Sequence, residues 1–554
     1  MLADIGIKVY SMRLMPIVLR NVRLELDEPE EQLLQYAAKR LRVPPESIRA
    51  WSIVRRSLDA RRRDDIHFRY HLELAINEPP RAERRRISHL RANEAAWLEP
   101  VPRRLPRPGK QPLPHRPTII GFGPAGMFAA LRLADYDYKP IVLERGREVR
   151  RRHRDVMQRF YRERDFDPNS NLLFGEGGAG TYSDGKLYTR VNNPLVRTVL
   201  EMFYQNGADP DILVDARPHI GSDRLPRVCW RIRDRIIALG GEVRFEKCVE
   251  DIRTDDGGLS ALCIQGGWMD VGPTVVAIGH SARDTVTMLA RRGARFDPKP
   301  FQIGVRIEHP QVMVDDWQYG ACAGHRRLGP AEYHMVAKGA AGESGDLFSF
   351  CMCPGGEILP TNESPGLIAT NGASRADRPG RFANSGLVIT VDPKSLGVDA
   401  LGAIEYQRRW EEKAFKATGA SYRVPAQRAT DFLACRSSDG ALETSYPLGG
   451  QWTSIRDVIP RSVAVALERG LVMLGARFPG FDGGEAIITA PETRASAPFR
   501  LVRDPDARTA VGIDNLYPVG EGAGYAGGII SAAVDGIRTA DAIIERYAPP
   551  SAQT

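Results

Sequence analysis

Cysteine is scarce, with seven in 554 residues, and no two form a CxxC pair or alternate with histidine at zinc-site spacing. This excludes a disulfide-stapled scaffold and a structural zinc module, and no metal site is expected. Long apolar runs are also missing, since nothing approaches the roughly twenty residues that a membrane helix needs. The opening MLADIGIKVYSMRLMPIVLR is interrupted by Lys8 and Arg13 and leads to no small-residue cleavage site. No signal peptide is therefore expected, and the cytoplasm is the expected location. The composition is not extreme: 42% hydrophobic and 26% charged is ordinary for a globular chain. Its length implies roughly two to four domains. The net charge is +8, and roughly all of that excess precedes Arg116. Such a bias serves either as a solvated basic face or as a nucleic-acid contact.

Glycine is abundant, and its placement is informative. Thr118-Ile119-Ile120 reads as a buried strand, followed by Gly121, Gly123 and Gly126 in GxGxxG spacing, with Pro124 and Ala125 inside the turn. A helical segment follows, then a second strand, Pro140 to Leu143, ending at Glu144 and Arg145. In a dinucleotide site the first glycine permits the tight turn and the second admits a pyrophosphate to the backbone. The third lets helix and sheet pack closely, and the acid receives ribose hydroxyls. The helix N-terminus adds free N–H groups and a positive dipole end.

Ahead of this unit, Ile17–Leu26, Ile48–Arg55 and Ile66–Ile76 read as strands and Glu30–Leu41 as a helix, a small β-α-β-β module. Pro79–Pro117, rich in Pro and Arg, reads as an extended linker with one helix over Ile87–Trp97. Beyond the first glycine unit lies a basic helix, Arg147–Arg164, and then a second glycine loop, Gly175, Gly177, Gly178 and Gly180. Ser183, Asp184 and Lys186 add polarity beside that loop. The strand Pro273–Ile278 runs into Gly279 and His280, and His280 is equally suited to face a ligand or to pack. Residues 299–490 lose the β-α-β rhythm and contain one long helix, Asp399–Lys416. The tail returns to it: strand 515–519, then Gly520, Glu521 and Gly522, then Gly527, Gly528, Ile529 and Ile530 opening a helix.

Cys351 and Cys353 lie in the apolar run SFCMC, where alternation puts both thiols on one sheet face, and packing is the expected role rather than redox chemistry. Arg306, Glu308, His309, Asn371, Glu492 and Arg494 are polar candidates near the substrate. Each fits an ion pair or hydrogen bond as well as catalysis, so the catalytic residues stay unassigned. No second GxGxxG falls between Asp284 and Ala490, so electrons are expected from the substrate, from a less formally bound nicotinamide, or from a partner.

The motifs FGEGGAGTYSDGKL, AIGHSARD, KPFQIGVRIEHPQ, SFCMCPGG, APETRASAP and YPVGEGAGYAGGI resemble bacterial FAD-dependent dehydrogenases of similar length. That family resembles the two-domain flavoproteins of the glutathione-reductase superfamily. The resemblance implies an α/β and α+β fold: a Rossmann-like FAD-binding domain with an inserted mixed domain and a small N-terminal α/β module. The implied division is 1–100 module, 101–116 linker, 117–298 FAD domain, 299–490 inserted substrate domain and 491–554 FAD domain again. It also implies FAD, with pyrophosphate on Gly121, Gly123 and Gly126, ribose on Glu144, and adenine beside Val249. The 177–180 loop, Gly520–Gly522 and Gly527–Ile530 would flank the ribityl chain and ring. Related proteins usually carry Asp where Glu521 stands. The expected function is an FAD-dependent oxidoreductase acting on a small organic molecule or an electron-transfer partner. The alternative is an RNA-associated flavoprotein that uses the basic module.

Overall fold

The computed structural model describes residues 15–99 and 105–550. Most of the opening segment screened above for a signal peptide, and residues 101–104 of the expected linker, lie outside the described residues. The chain forms two compact units.

The first unit takes in the described residues up to 105 together with 209–218 and 318–328. Strands Ile17–Glu25, Ile48–Asp59 and His67–Ile76 and helix Gln32–Leu41 occupy the expected β-α-β-β places. A second helix, Pro80–Ile87, and a short strand, Ala95–Trp97, extend the order to β-α-β-β-α-β. The antiparallel sheet runs Ile48–Asp59, His67–Ile76, Ile17–Glu25, Ala95–Trp97. Alternation sends Ile17, Leu19, Leu24, Leu72 and Leu74 to one face, where Leu33, Ala37 and Leu41 of the helix meet them at helical spacing. The helix expected over Ile87–Trp97 is corrected. Pro80, pre-set for a first helical turn, starts it earlier. Ala95–Trp97 instead pairs with Leu19–Ile17. The later segments join through charge: Arg56 donates to Asp211 at 2.9 Å and Asp215 at 2.8 Å, and Arg327 donates to the Leu26 carbonyl at 3.0 Å.

The second unit holds two large sheets. One is parallel, in the order Leu516–Pro518, Thr274–Val276, Thr118–Ile120, Ile141–Leu143, Glu242–Arg244. Thr118–Ile120 is its centre. The chain leaves it in one direction through helix Pro124–Asp135 and fills the other side only later, with Thr274–Val276 and the tail strand. Such a reversal opens a crevice beyond the carboxyl ends of the strands. Helices Pro124–Asp135 and Ile529–Arg546 pack so closely that a side chain on Gly536 would lie 2.1 Å from the Ala125 carbonyl oxygen. The other sheet has seven strands, in the order Val336–Ala337, Leu347–Cys353, Phe382–Val391, Phe301–Pro310, Ile487–Glu492, Val424–Arg428, Gly450–Trp452. The expected helix is present as Ala400–Ala417, capped by the Asp399 side chain. Helices Gln311–Tyr319 and Arg461–Gly475 are additional to the expectation. Residues 106–116, expected as linker, run extended beside the end of the last helix, with the Gly109 amide donating to Ile544 and Gln111 bridged to Tyr547.

Candidate functional site

A cleft of about 690 Å³ opens beyond the carboxyl ends of the parallel strands and reaches Leu347–Cys353 of the seven-stranded sheet. Of the residues expected to hold the cofactor, Gly121, Gly123, Pro124, Ala125, Glu144, Arg145, Gly178, Gly180, Val249, Gly279, Glu521, Gly527, Gly528 and Ile529 line it. Gly126, Gly177, Gly520, Gly522 and Ile530 do not. These five lie behind the surface and hold it together. A Cβ on Gly126 would sit 2.1 Å from the Gly121 carbonyl oxygen, and one on Gly522 would sit 2.6 Å from the Gly279 carbonyl oxygen. Ile530 is buried in the last helix.

The wall has the character of a cradle. Gly123 caps helix Pro124–Asp135 from an extended conformation, and a methyl there would meet nothing nearer than the Gly178 Cα at 3.9 Å. Nothing at all lies within 4 Å of a Cβ on Gly279, Gly527 or Gly528. Two helix N-termini, at Pro124 and Ile529, open at this surface, and their unpaired amides suit an anionic group. The residues present therefore fit a dinucleotide cofactor with a pyrophosphate at its middle.

Glu144 is buried, and its carboxylate organises the turn. Oε2 accepts from the Phe122 amide at 2.8 Å, and Oε1 accepts from the Gly146 and Gly175 amides, both at 2.9 Å. One side chain thus joins the first glycine turn to the second glycine loop. A carboxylate offers about four acceptor positions, so about one is left for a ribose hydroxyl rather than the two expected. Arg145 is a strut: its guanidinium grips Asp284 at 2.9 and 2.8 Å and lies over the Phe174 ring.

The second loop depends on a residue that the motif reading did not single out. Arg152, wholly buried, donates to the carbonyls of Asn171 at 2.8 Å, Glu176 at 2.7 Å and Gly178 at 2.9 Å. The sequence does carry a signal for it. Val149, Arg152 and Val156 share one helix face, so a cation sits in an apolar stripe and must have buried partners. Glu176 beside it accepts from the Val149 amide and from Arg233, and burial pushes its carboxyl up to about 7.

At the tail, Glu521 faces His280 at 3.8 Å. Burial, opposed by Lys299, pushes Glu521 up to about 7, although 29% of its side chain is exposed, which weakens the effect. His280 bonds the Arg494 carbonyl at 3.1 Å. Burial, with the Arg494 and Arg283 cations, pushes it down to about 3, so its ring is neutral at ordinary pH.

The polar candidates divide. Asn371, Arg494, Ser183, Asp184, Lys186 and His280 line the cleft. Arg306, Glu308, His309 and Glu492 are buried beneath it. Arg306 spends all five donors on Glu492 (2.7 and 2.9 Å), Asn384, Asn371 and the Cys351 carbonyl. Glu308 accepts from Ser445, and His309 bonds the Phe481 carbonyl at 2.9 Å. Their place is structural.

Residues 300–495 match the family "FAD-dependent protein, C-terminal domain-like", and residues 16–75 match a domain of unknown function (DUF8436). An uncharacterized protein of Clostridium beijerinckii is 39% identical over 539 residues, covering 97% of this chain and 100% of that one. Among solved structures, glycine oxidase from Geobacillus kaustophilus aligns with 78% of this chain and 95% of that one, at 12% identity and TM-score 0.34. L-proline dehydrogenase from P. horikoshii aligns with 80% and 96%, at 10% identity and TM-score 0.36. Structural alignments of that quality assign neither substrate nor mechanism. FAD is the cofactor, and the chain belongs to one family with the Clostridium beijerinckii protein.

Proposed function

We propose that this chain is a dehydrogenase of the two-domain glutathione-reductase type, that it oxidises a small organic substrate, and that it has no dedicated NAD(P)H domain. The observation that carries the reading is the cleft, which runs from the pyrophosphate turn at Gly121–Gly123 to the wall formed by Cys351 and Asn371. One end has the glycines and helix termini for a nucleotide; the other offers room and polarity for a second molecule. FAD supplies the two-electron chemistry. The protein's residues orient it and exclude water. Gly123 and the amides at the start of helix Pro124–Asp135 take the pyrophosphate, and Glu144 takes a ribose hydroxyl. Val249 backs the adenine, while Gly178, Gly180, Gly527 and Gly528 leave space for the ribityl chain and ring. Glu521, near neutral in its proton affinity, holds or releases a proton at its carboxyl oxygen. Buried Arg494, held by Glu411 at 2.8 Å and by Glu363, fixes the wall on which His280 rests.

No second glycine-rich nucleotide turn is written between Asp284 and Ala490, so NADH and NADPH are expected to reduce the flavin slowly. Anaerobic stopped-flow mixing with each tests this, and rapid saturable bleaching at micromolar nicotinamide would overturn it. A screen for compounds that bleach the flavin anaerobically would then identify the substrate class. The RNA reading draws no support from the first unit. Of the aromatics on its sheet, Tyr70 is buried in the core, and Trp51, Phe68 and Trp97 pack half-buried against it, with the Arg327 guanidinium over Phe68, whereas base stacking needs open ring faces.

A further inference from the structure

Strand Leu347–Cys353 does not keep its alternation. Its pairing with Phe382–Val391 slips between Phe350 and Cys353, and Cys351 adopts a left-handed backbone with φ of 44°. A cysteine there is uncommon and is held only where its surroundings demand it. Cys351 is among the residues that line the cleft, while Cys353 is buried and is not. Both sulfurs converge on one cation: Lys186 Nζ lies 3.9 Å from Cys351 Sγ and 3.7 Å from Cys353 Sγ. Lys186 is anchored in turn, donating to the Met352 carbonyl at 2.5 Å and pairing with Asp184 at 3.0 Å. Cys353 is within hydrogen-bond reach of the Cys351 carbonyl, at 3.2 Å, and of its thiol. Thus the two thiols sit under one ammonium on the wall of the cleft assigned above to the flavin. Packing alone would require neither the bulge nor a buried lysine.

We propose that Cys351 and Cys353 form a redox-active dithiol that exchanges two electrons with the FAD. The inference rests on the placement of the flavin in this cleft. In the forward direction the Cys351 thiolate and the Cys353 thiol join in an S–S bond. The pair loses two electrons and the one proton carried by Cys353, and oxidised FAD takes up both, becoming the reduced anion. The reverse step restores thiolate and thiol. Lys186 is a positioning residue that holds the thiolate.

The charged surroundings favour this division of labour. The hydrogen bond from Cys353 lowers the Cys351 thiol, and the Lys186 and Arg306 cations lower it further, against burial and the Asp184 charge. The same hydrogen bond and burial raise Cys353. Burial opposes the charge on Lys186, yet the two sulfurs and Asp184 together keep it protonated. One thiolate beside one thiol is the arrangement from which a disulfide forms most readily.

The test uses the full-length, flavin-loaded protein. After diamide treatment, denaturation and alkylation, the peptide carrying both cysteines should be unalkylated and two hydrogens lighter. Buried Cys229 in the same sample should be alkylated. Anaerobic dithionite titration of the oxidised protein should consume four electrons per flavin, and the C351S and C353S variants should each consume two. In K186M the rate at which iodoacetamide modifies Cys351 at neutral pH should fall at least about tenfold, its pH midpoint moving upward. K186R, which keeps the charge, should restore the profile and guards against a misfolded methionine variant. A flavin-loaded protein whose peptide stays fully alkylated, or whose titration ends at two electrons, would overturn the dithiol alone. A colourless protein that still forms the disulfide would overturn the flavin placement and the electron exchange instead.

Discussion

Two glycines three residues apart should fail in opposite ways when each gains a methyl group. Gly123 has φ of −79° and ψ of −175°, a conformation alanine adopts without strain. Its methyl would meet only the Gly178 Cα, at 3.9 Å. The folded protein then gives up part of a helix-cap preference, a few tenths to about 1 kcal/mol. Reduced freedom of the unfolded chain offsets roughly 0.4–1 kcal/mol of that. Stability of the flavin-free protein should stay within about 1 kcal/mol of wild type. The methyl nevertheless fills the space proposed for the pyrophosphate, so flavin affinity should drop at least about tenfold, some 1.4 kcal/mol. Gly126→Ala is the reverse case. Its methyl would lie 2.1 Å from the Gly121 carbonyl oxygen and 3.1 Å from both Ala277 Cβ and Ile119 Cγ2. Backbone must move, at a cost of about 1–3 kcal/mol. The assays are the flavin-to-protein absorbance ratio after gel filtration and thermal melting of the flavin-free proteins. A Gly123→Ala protein that keeps its full complement of flavin would refute the cradle, and a Gly126→Ala protein that melts like wild type would refute the packing argument.

Glu144→Gln should destabilise the flavin-free protein by about 1–3 kcal/mol, because an amide cannot accept from three backbone donors without turning its own NH2 toward one of them; an unchanged melting temperature would count against its organising role. Burial raises Glu176 from an ordinary carboxyl to about 7. The folded state therefore binds this proton more tightly than the unfolded chain, so its contribution to stability is present below about pH 4.5 and lost as pH rises toward 7, by roughly 3 kcal/mol at most. Urea titrations at stepped pH should show that fall in wild type and a flatter curve in Glu176→Gln; parallel curves would exclude Glu176 as the source. A chain beginning at Pro106 should keep its flavin spectrum yet melt lower, since Asp211, Asp215 and Arg327 lose the groups they bind in the first unit. Loss of flavin on that truncation would show that the cofactor site depends on the first unit.

What the sequence disclosed and what it hid follow a physical line. The glycine turn, the strands around it and the helix after Gly528 were legible because each is set by neighbours in the chain: apolar runs, a turn that needs glycine, a helix cap. The shift of the second helix in the first unit escaped because arginine takes five of the eleven positions in 81–91 and leaves few apolar residues to mark a face. Periodicity there says little, and tertiary pairing of Ala95–Trp97 decided the boundary. Arg306, His309 and Glu492 read as candidates by residue type alone, whereas their roles depend on partners from distant strands. The opposite error befell Cys351. Regular alternation predicts two packed thiols, whereas the register shifts between Phe350 and Cys353 and Cys351 lines the cleft.

Arg152 turns three carbonyl oxygens inward, and Asp284 neutralises Arg145. These two cations are therefore already engaged, and at the glycine loops the cofactor's negative charge would meet fixed peptide dipoles instead of them. Screening by salt is weak for such buried, rigid donors. Flavin should accordingly stay bound in concentrated salt and leave only when the loops themselves open, which makes its exchange a measure of local unfolding rather than of electrostatic attraction.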